Sequence, residues 1–188
     1  MITVVAKNAP VSVVAFSGLA PKNWVFEFVK TVDRLACNVI GVRDPANDWY
    51  QTHKHQFAAE VQKAAQGKRL FLGASAGGFA ALMFGRMLDA DAVLAFSPQS
   101  ACGDAKRALG DERWPEFCAA TPSCDIAGEH PRATIHYDRH DALDAMHAGR
   151  LECRHVRHET GGHNLPDVLK RAGLLLSIIG AAAVEVGA

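Results

Sequence analysis

Leu70-Phe71-Leu72-Gly73-Ala74-Ser75-Ala76-Gly77-Gly78-Phe79-Ala80-Ala81-Leu82 is the stretch whose reading decides the fold. Strand formers run into Gly-x-Ser-x-Gly, and a run of helix formers from Phe79 to Leu88 follows at once. Strand, sharp turn with a serine at its tip, then helix is the pattern of a nucleophile elbow. Such a turn is strained and lifts the serine Oγ above the sheet edge. Strand and helix pack so closely there that the residues two before and two after the serine must be tiny, and Gly73 and Gly77 satisfy this. A helix starting just past Ser75 aims its first N–H groups at the site, where negative charge would develop. The backbone N–H of Ala76 is therefore one expected oxyanion donor. The alternative is a Gly-rich strand-to-helix turn that carries no chemistry.

Outward from this stretch, β-type apolar runs alternate with helical patterns. That argues for an α/β fold: a mostly parallel central sheet of about six or seven strands with helices on both faces. Residues 1–6 read as a short edge strand and Val11–Phe16 as the first strong one, ending at Ser17-Gly18. Trp24, Phe28, Val32 and Leu35 recur at spacings of three and four, which predicts a helix over 22–36. Cys37–Val42 is the next strand. A polar loop, Ala46–Thr52, leads to a helix near 53–66, then to the elbow strand 69–73 and its helix 77–88. Strands are expected at Ala92–Phe96, Ala133–Tyr137 and Glu152–His158, and helices at 142–150 and 164–182. Residues 99–132 hold three of the eight prolines and three of the sixteen glycines and predict only short helices.

Composition narrows the function. The 188 residues fit one domain, 1–188, and 49% hydrophobic content is enough for a well-buried core. Lys+Arg and Asp+Glu both number 20, so no net charge recruits nucleic acid or an anionic membrane. The five cysteines include no Cys-x-x-Cys and read as small buried hydrophobes of a reducing compartment, with a Cys118–Cys124 bridge as the lesser alternative. The N-terminus lacks a basic segment followed by a long apolar core. The longest apolar run, Ala172–Val184, is shorter than the roughly 20 residues of a spanning helix. The expectation is a cytoplasmic protein with a buried C-terminal helix.

A serine is a poor nucleophile without a base, and the base needs an orienting acid. His163 lies in Gly161-Gly162-His163-Asn164, a Gly-rich loop after the last strand from which a ring can reach back to Ser75. His155 and His158 fall within or at the end of a strand, and His53 and His55 open a helix, so they fit less well. For the acid, Tyr137-Asp138-Arg139-His140-Asp141-Ala142-Leu143-Asp144 offers three aspartates. Asp141 has the expected offset past the strand; Asp138 is almost on the strand, and Asp144 falls inside the next helix. The loop Ser17-Gly18-Leu19-Ala20 should supply the second oxyanion donor, the N–H of Leu19, with Gly18 turning the chain beside the substrate. Trp49 and Tyr50 either line a substrate pocket at the sheet edge or pin their loop to the core, and Trp114 and Phe117 carry the same ambiguity. No zinc-type spacing, phosphate-binding loop or dinucleotide fingerprint occurs, so neither metal nor cofactor is expected.

With oxyanion loop, elbow, acid and base in this order, the chain resembles the α/β-hydrolase superfamily from Val11 to about Ile179. Gly73-Ala74-Ser75-Ala76-Gly77-Gly78 matches its elbow, Asp141 its aspartate after the penultimate strand, and Gly162-His163-Asn164 its Gly-His loop. Ser17 stands where many members carry histidine. Only about thirty residues separate the strands at 92–96 and 133–137, where larger members insert a lid. The resemblance implies a serine hydrolase acting on a small-molecule or carrier-linked acyl ester or thioester, with an open site. Phe96-Ser97-Pro98-Gln99, with Arg43-Asp44-Pro45 and Trp49-Tyr50-Gln51, also resembles a bacterial group that accompanies cell-surface polysaccharide genes. That likeness implies acyl transfer or deacylation on a polysaccharide. A catalytically silent fold used for binding is the rival of another class.

Overall fold

A computed structural model of the protein describes residues 1–19 and 28–188. In chain order the elements are β1 (Ile2–Val5), β2 (Val11–Phe16), α1 (Val29–Val32), β3 (Asn38–Val42), α2 (Lys54–Ala64), β4 (Lys68–Ala74), α3 (Ala76–Met87) and β5 (Ala92–Phe96). Then follow β6 (Ala101–Cys102), α4 (Gly103–Ala108), α5 (Pro115–Cys118), β7 (Cys124–Asp125), β8 (Gly128–Asp138), α6 (Ala142–Gly149) and β9 (Leu151–His158). A 3₁₀ turn, Gly162–Asn164, leads to α7 (Leu165–Arg171) and α8 (Leu175–Gly187).

Seven strands form one sheet in the order β1-β3-β2-β4-β5-β8-β9. Every pairing is parallel except that of β1 with β3. Strands buried on both faces need apolar residues at every position rather than at alternate ones, and β2 and β4 show it. Val14, Phe16 and Phe71 enter the core beneath α2, α3 and α6; Val13, Ala15, Leu70 and Leu72 enter the core beneath α7 and α8. The chain runs from β2 outward to β3, then returns to the other side of β2 to lay down β4. The strand order thus reverses between β2 and β4, and such a switch point leaves a crevice at the carboxyl ends of the strands. Ser17-Gly18-Leu19 and the Ser75 turn both open onto it.

Three expectations change. The closing helix 164–182 is two helices. Gly173, at φ 73°, ends α7; its N–H donates to Lys170 O at 3.0 Å and the Leu174 N–H to Leu169 O at 2.9 Å, the two bonds of a Schellman cap. The irregular segment carries a small two-stranded ribbon, β6 with β7, besides its short helices. Of the helix expected over 22–36, Val29–Val32 is helical, while residues 22–27, Trp24 among them, lie outside the described residues. All five cysteines are free, Cys118 and Cys124 included. Among the described residues no helix is long and apolar enough to cross a membrane.

Candidate active site

Ser75 sits between β4 and α3 at φ 53°, ψ −120°, a backbone conformation that a side chain rarely tolerates. Its N–H donates to Phe96 O at 3.0 Å, which ties the turn to the end of the neighbouring strand. The steric demand on its flanks is severe. A Cβ on Gly73 would stand 2.1 Å from Gly77 O, and one on Gly77 would stand 2.2 Å from Phe16 O. Only glycine fits at either position. Ala76 is the first residue of α3, so its N–H has no acceptor within the helix.

His163, in the 3₁₀ turn after β9, brings Nε2 to 2.8 Å from Ser75 Oγ. Its Nδ1 stands 2.8 Å from Oδ1 of Asp144. The acid beside the ring is therefore Asp144, and the assignment of Asp141 is corrected. Asp141 is the N-cap of α6, and its carboxylate accepts the Asp144 N–H at 3.0 Å. A carboxylate used to cap a helix is turned toward that helix's own backbone. One turn on, Asp144 projects from the first turn of α6 into the protein. Its side chain is 1% exposed, against 17% for His163. Asp138 has a third task. It accepts from the Gly162 N–H at 2.8 Å and the His140 N–H at 2.8 Å, so it holds the turn that carries His163.

Burial alone would push the Asp144 carboxyl up. The bond with His163, then Arg113 and Ser97, outweigh it and hold the group below the usual carboxylate range. Arg113 Nη1 donates to Asp144 Oδ1 at 2.9 Å. Neither Arg113 nor its anchor Asp111 is marked by any local motif, and only the fold brings them here. The segment between β5 and β8, too short for the lid that larger members insert, supplies Arg113 and Trp114 to the site.

A cleft of about 170 Å³ opens over Ser75, lined by Gly18, Leu19, Trp114, His163, Asn164 and Asp167 among others. Gly18 and Leu19 thus lie beside Ser75 on the cleft wall. Trp49 and Tyr50 do not line it, a second correction: they are 0% and 1% exposed. Asp44 accepts from the N–H groups of Ala46, Asp48 and Tyr50 and folds the loop inward. There Trp49 Nε1 donates to Gln99 Oε1 at 2.6 Å and Tyr50 Oη to Ser17 O at 2.8 Å. The aromatic wall of the cleft is Trp114, its ring 5.2 Å from that of His163. Among the described residues no group of three or more His, Cys, Asp or Glu is gathered as a metal site would need.

No protein-family model matches the sequence, and no curated protein does. Solved structures match closely in shape. The capsule O-acetyltransferase of Neisseria meningitidis serogroup A superposes with a TM-score of 0.66 at 14% identity, over 89% of this chain and 86% of that one. Mouse alpha/beta hydrolase domain-containing protein 10 gives 0.62 at 12% identity, over 96% and 92%. The chain has the α/β-hydrolase fold. A serine hydrolase of this fold from Xanthomonas campestris, described as lacking a lid, gives 0.53 at 13% identity, over 96% and 84%. At such identities the likeness is one of α/β-hydrolase architecture, and the chemistry must be argued from the residues.

Proposed function

We propose that this protein is a serine hydrolase that cleaves a carboxylic ester or thioester through an acyl-enzyme on Ser75. The observation that supports the reading is the continuous chain Ser75 Oγ, His163, Asp144, with both links at 2.8 Å, at the mouth of the switch-point cleft. In this reading His163 Nε2 takes the Ser75 proton as Oγ attacks the carbonyl carbon. The N–H groups of Ala76 and Leu19 receive the oxyanion. The ring then gives its proton to the leaving alcohol or thiol, and the same ring activates water for deacylation. Asp144 stays ionised throughout, fixing the tautomer with hydrogen on Nδ1 and stabilising the imidazolium. A cleft of about 170 Å³ suits a short acyl chain on a larger alcohol that stays outside. Five free thiols fit a reducing compartment, which supports a cytoplasmic location.

A second reading keeps the same acyl-enzyme and replaces water by a sugar hydroxyl. The likeness in shape to an enzyme that transfers acetyl to a capsule favours it. One assay tests both. p-Nitrophenyl esters of rising chain length are offered to wild type and to Ser75→Ala, with and without oligosaccharide. Release that fades with chain length and vanishes in Ser75→Ala supports the acyl-enzyme. Acylated sugar among the products selects transfer. Equal rates in the two proteins overturn both readings.

A further inference from the structure

Behind the triad lies a second row of charge. Arg113 contacts Asp144 through Nη1, and the same nitrogen is 2.9 Å from His163 Nδ1. Its other side forks onto Asp111: Nε lies 3.0 Å from Oδ1 and Nη2 2.7 Å from Oδ2. Asp111 is fully buried, as are the Lys106 Nζ 3.1 Å from its Oδ1 and the His147 Nε2 2.9 Å from its Oδ2. Lys106 also donates to the backbone carbonyls of Asp111 and Arg113, so it fixes the bend that aims the guanidinium. A surface arginine gains little from one ion pair. This one is held at both ends, with its side chain only 20% exposed.

We propose that Arg113 is a positioning residue of the Ser75–His163–Asp144 site, a buttress that keeps Asp144 ionised and turned toward His163 as the pH falls. The inference rests on the reading of that site as a triad. Two cations, Lys106 and Arg113, alternate with two carboxylates, Asp111 and Asp144, so the row is balanced. Among the described residues, Cys118 Sγ donates to Arg113 O, Asp125 faces His147, and three further groups face the row. Asp138 faces Asp144 and disfavours a second negative charge, Asp167 lines the cleft beside His163, and His147 faces Asp111. Asp144 Oδ1 receives both His163 and Arg113, and Ser97 is the further side chain that holds the carboxyl down. Without Arg113, burial acts on a carboxylate with one side-chain hydrogen bond fewer. It then takes up a proton at higher pH, and a protonated Asp144 no longer stabilises the imidazolium. If Arg113 merely bolted the segment between β5 and β8 to the sheet, its loss would lower stability and leave the pH dependence in place.

The test compares wild type, Arg113→Met and Arg113→Lys. The first readout is the pH dependence of the rate at which a fluorophosphonate labels Ser75. The second is the titration of the Asp144 carboxyl carbon, followed by NMR. Loss of an adjacent cation is expected to move the acid limb and the Asp144 titration up by about one pH unit in Arg113→Met. Arg113→Lys, which keeps the charge without the fork, should fall between the two. Should Arg113→Met not fold, the lysine variant carries the same expectation at smaller size. Coincident titrations in the folded variants and wild type would overturn the proposal. A wild type that is not labelled at all would instead overturn the nucleophile, and the carboxyl titration would still decide the role of Arg113.

Discussion

Replacing Asp144 by Asn removes one charge and almost no volume. Asp144 Oδ1 stands 2.8 Å from His163 Nδ1, and the side chain is 1% exposed. The two charge centres are then about 4 Å apart, and at an effective dielectric of about 20 their attraction in the imidazolium state is about 4 kcal/mol. That corresponds to a loss of about 10³-fold in kcat. The uncompensated Arg113 guanidinium pushes in the same direction, since it then faces the imidazolium without its counter-charge. The control is Asp141→Ala, which deletes the α6 cap at a cost of about 1 kcal/mol in stability and leaves kcat within about tenfold of wild type. Hydrolysis of p-nitrophenyl acetate gives the first quantity and urea denaturation the second. A disabled Asp141→Ala beside a near-normal Asp144→Asn would refute the reasoning and restore the acid first read from the sequence.

Gly77→Ala should destabilise the fold by about 3 kcal/mol or more, read as a lowered urea midpoint, because the new methyl meets the Phe16 carbonyl at 2.2 Å. Trp49→Phe removes the donor to Gln99 Oε1 and should cost about 1–3 kcal/mol of stability while kcat/KM stays near wild type; a large rise in KM would return Trp49 to the cleft. His136 is held down from 6.5 to about 4 by burial, then by His158 and Arg154. The unfolded chain therefore binds that proton first, and stability should fall by about 3 kcal/mol between pH 6.5 and 4. His136→Gln should flatten that slope in denaturation midpoints measured across the range, and an unchanged slope would contradict it.

The parts of this molecule that were legible in the sequence are those where sterics leave one choice. Gly73 and Gly77 admit no side chain, which is why the Ser75 turn could be read from five residues. The double-sided strands were legible because parallel strands covered on both faces carry unbroken apolar runs. The placing of His163 beside Ser75 followed from chain order and a Gly-rich loop. The carboxylate that faces His163 was placed one helical turn too early because distance was counted along the loop. Yet Asp141 and Asp144 stand three apart ahead of an apolar run, a spacing that marks an N-cap and its N3 residue. Read that way, the first aspartate is engaged by the backbone and the second is the one left to reach inward. Gly173 likewise carried a stop signal inside the run taken as one helix. Arg113, Asp111, Lys106 and His147 form their cluster through pairs as far as 36 residues apart, and no local pattern announces such contacts. The burial of Trp49 and Tyr50 depended on where the Asp44 loop folds, which is a property of the packed sheet.

The most direct measurement of the central claim is the intact mass and peptide map of the protein after reaction with a fluorophosphonate. The account predicts one adduct, on Ser75, absent from Ser75→Ala and slowed by orders of magnitude in His163→Ala. A wild type that stays unmodified, or an adduct of equal yield in Ser75→Ala, would contradict it.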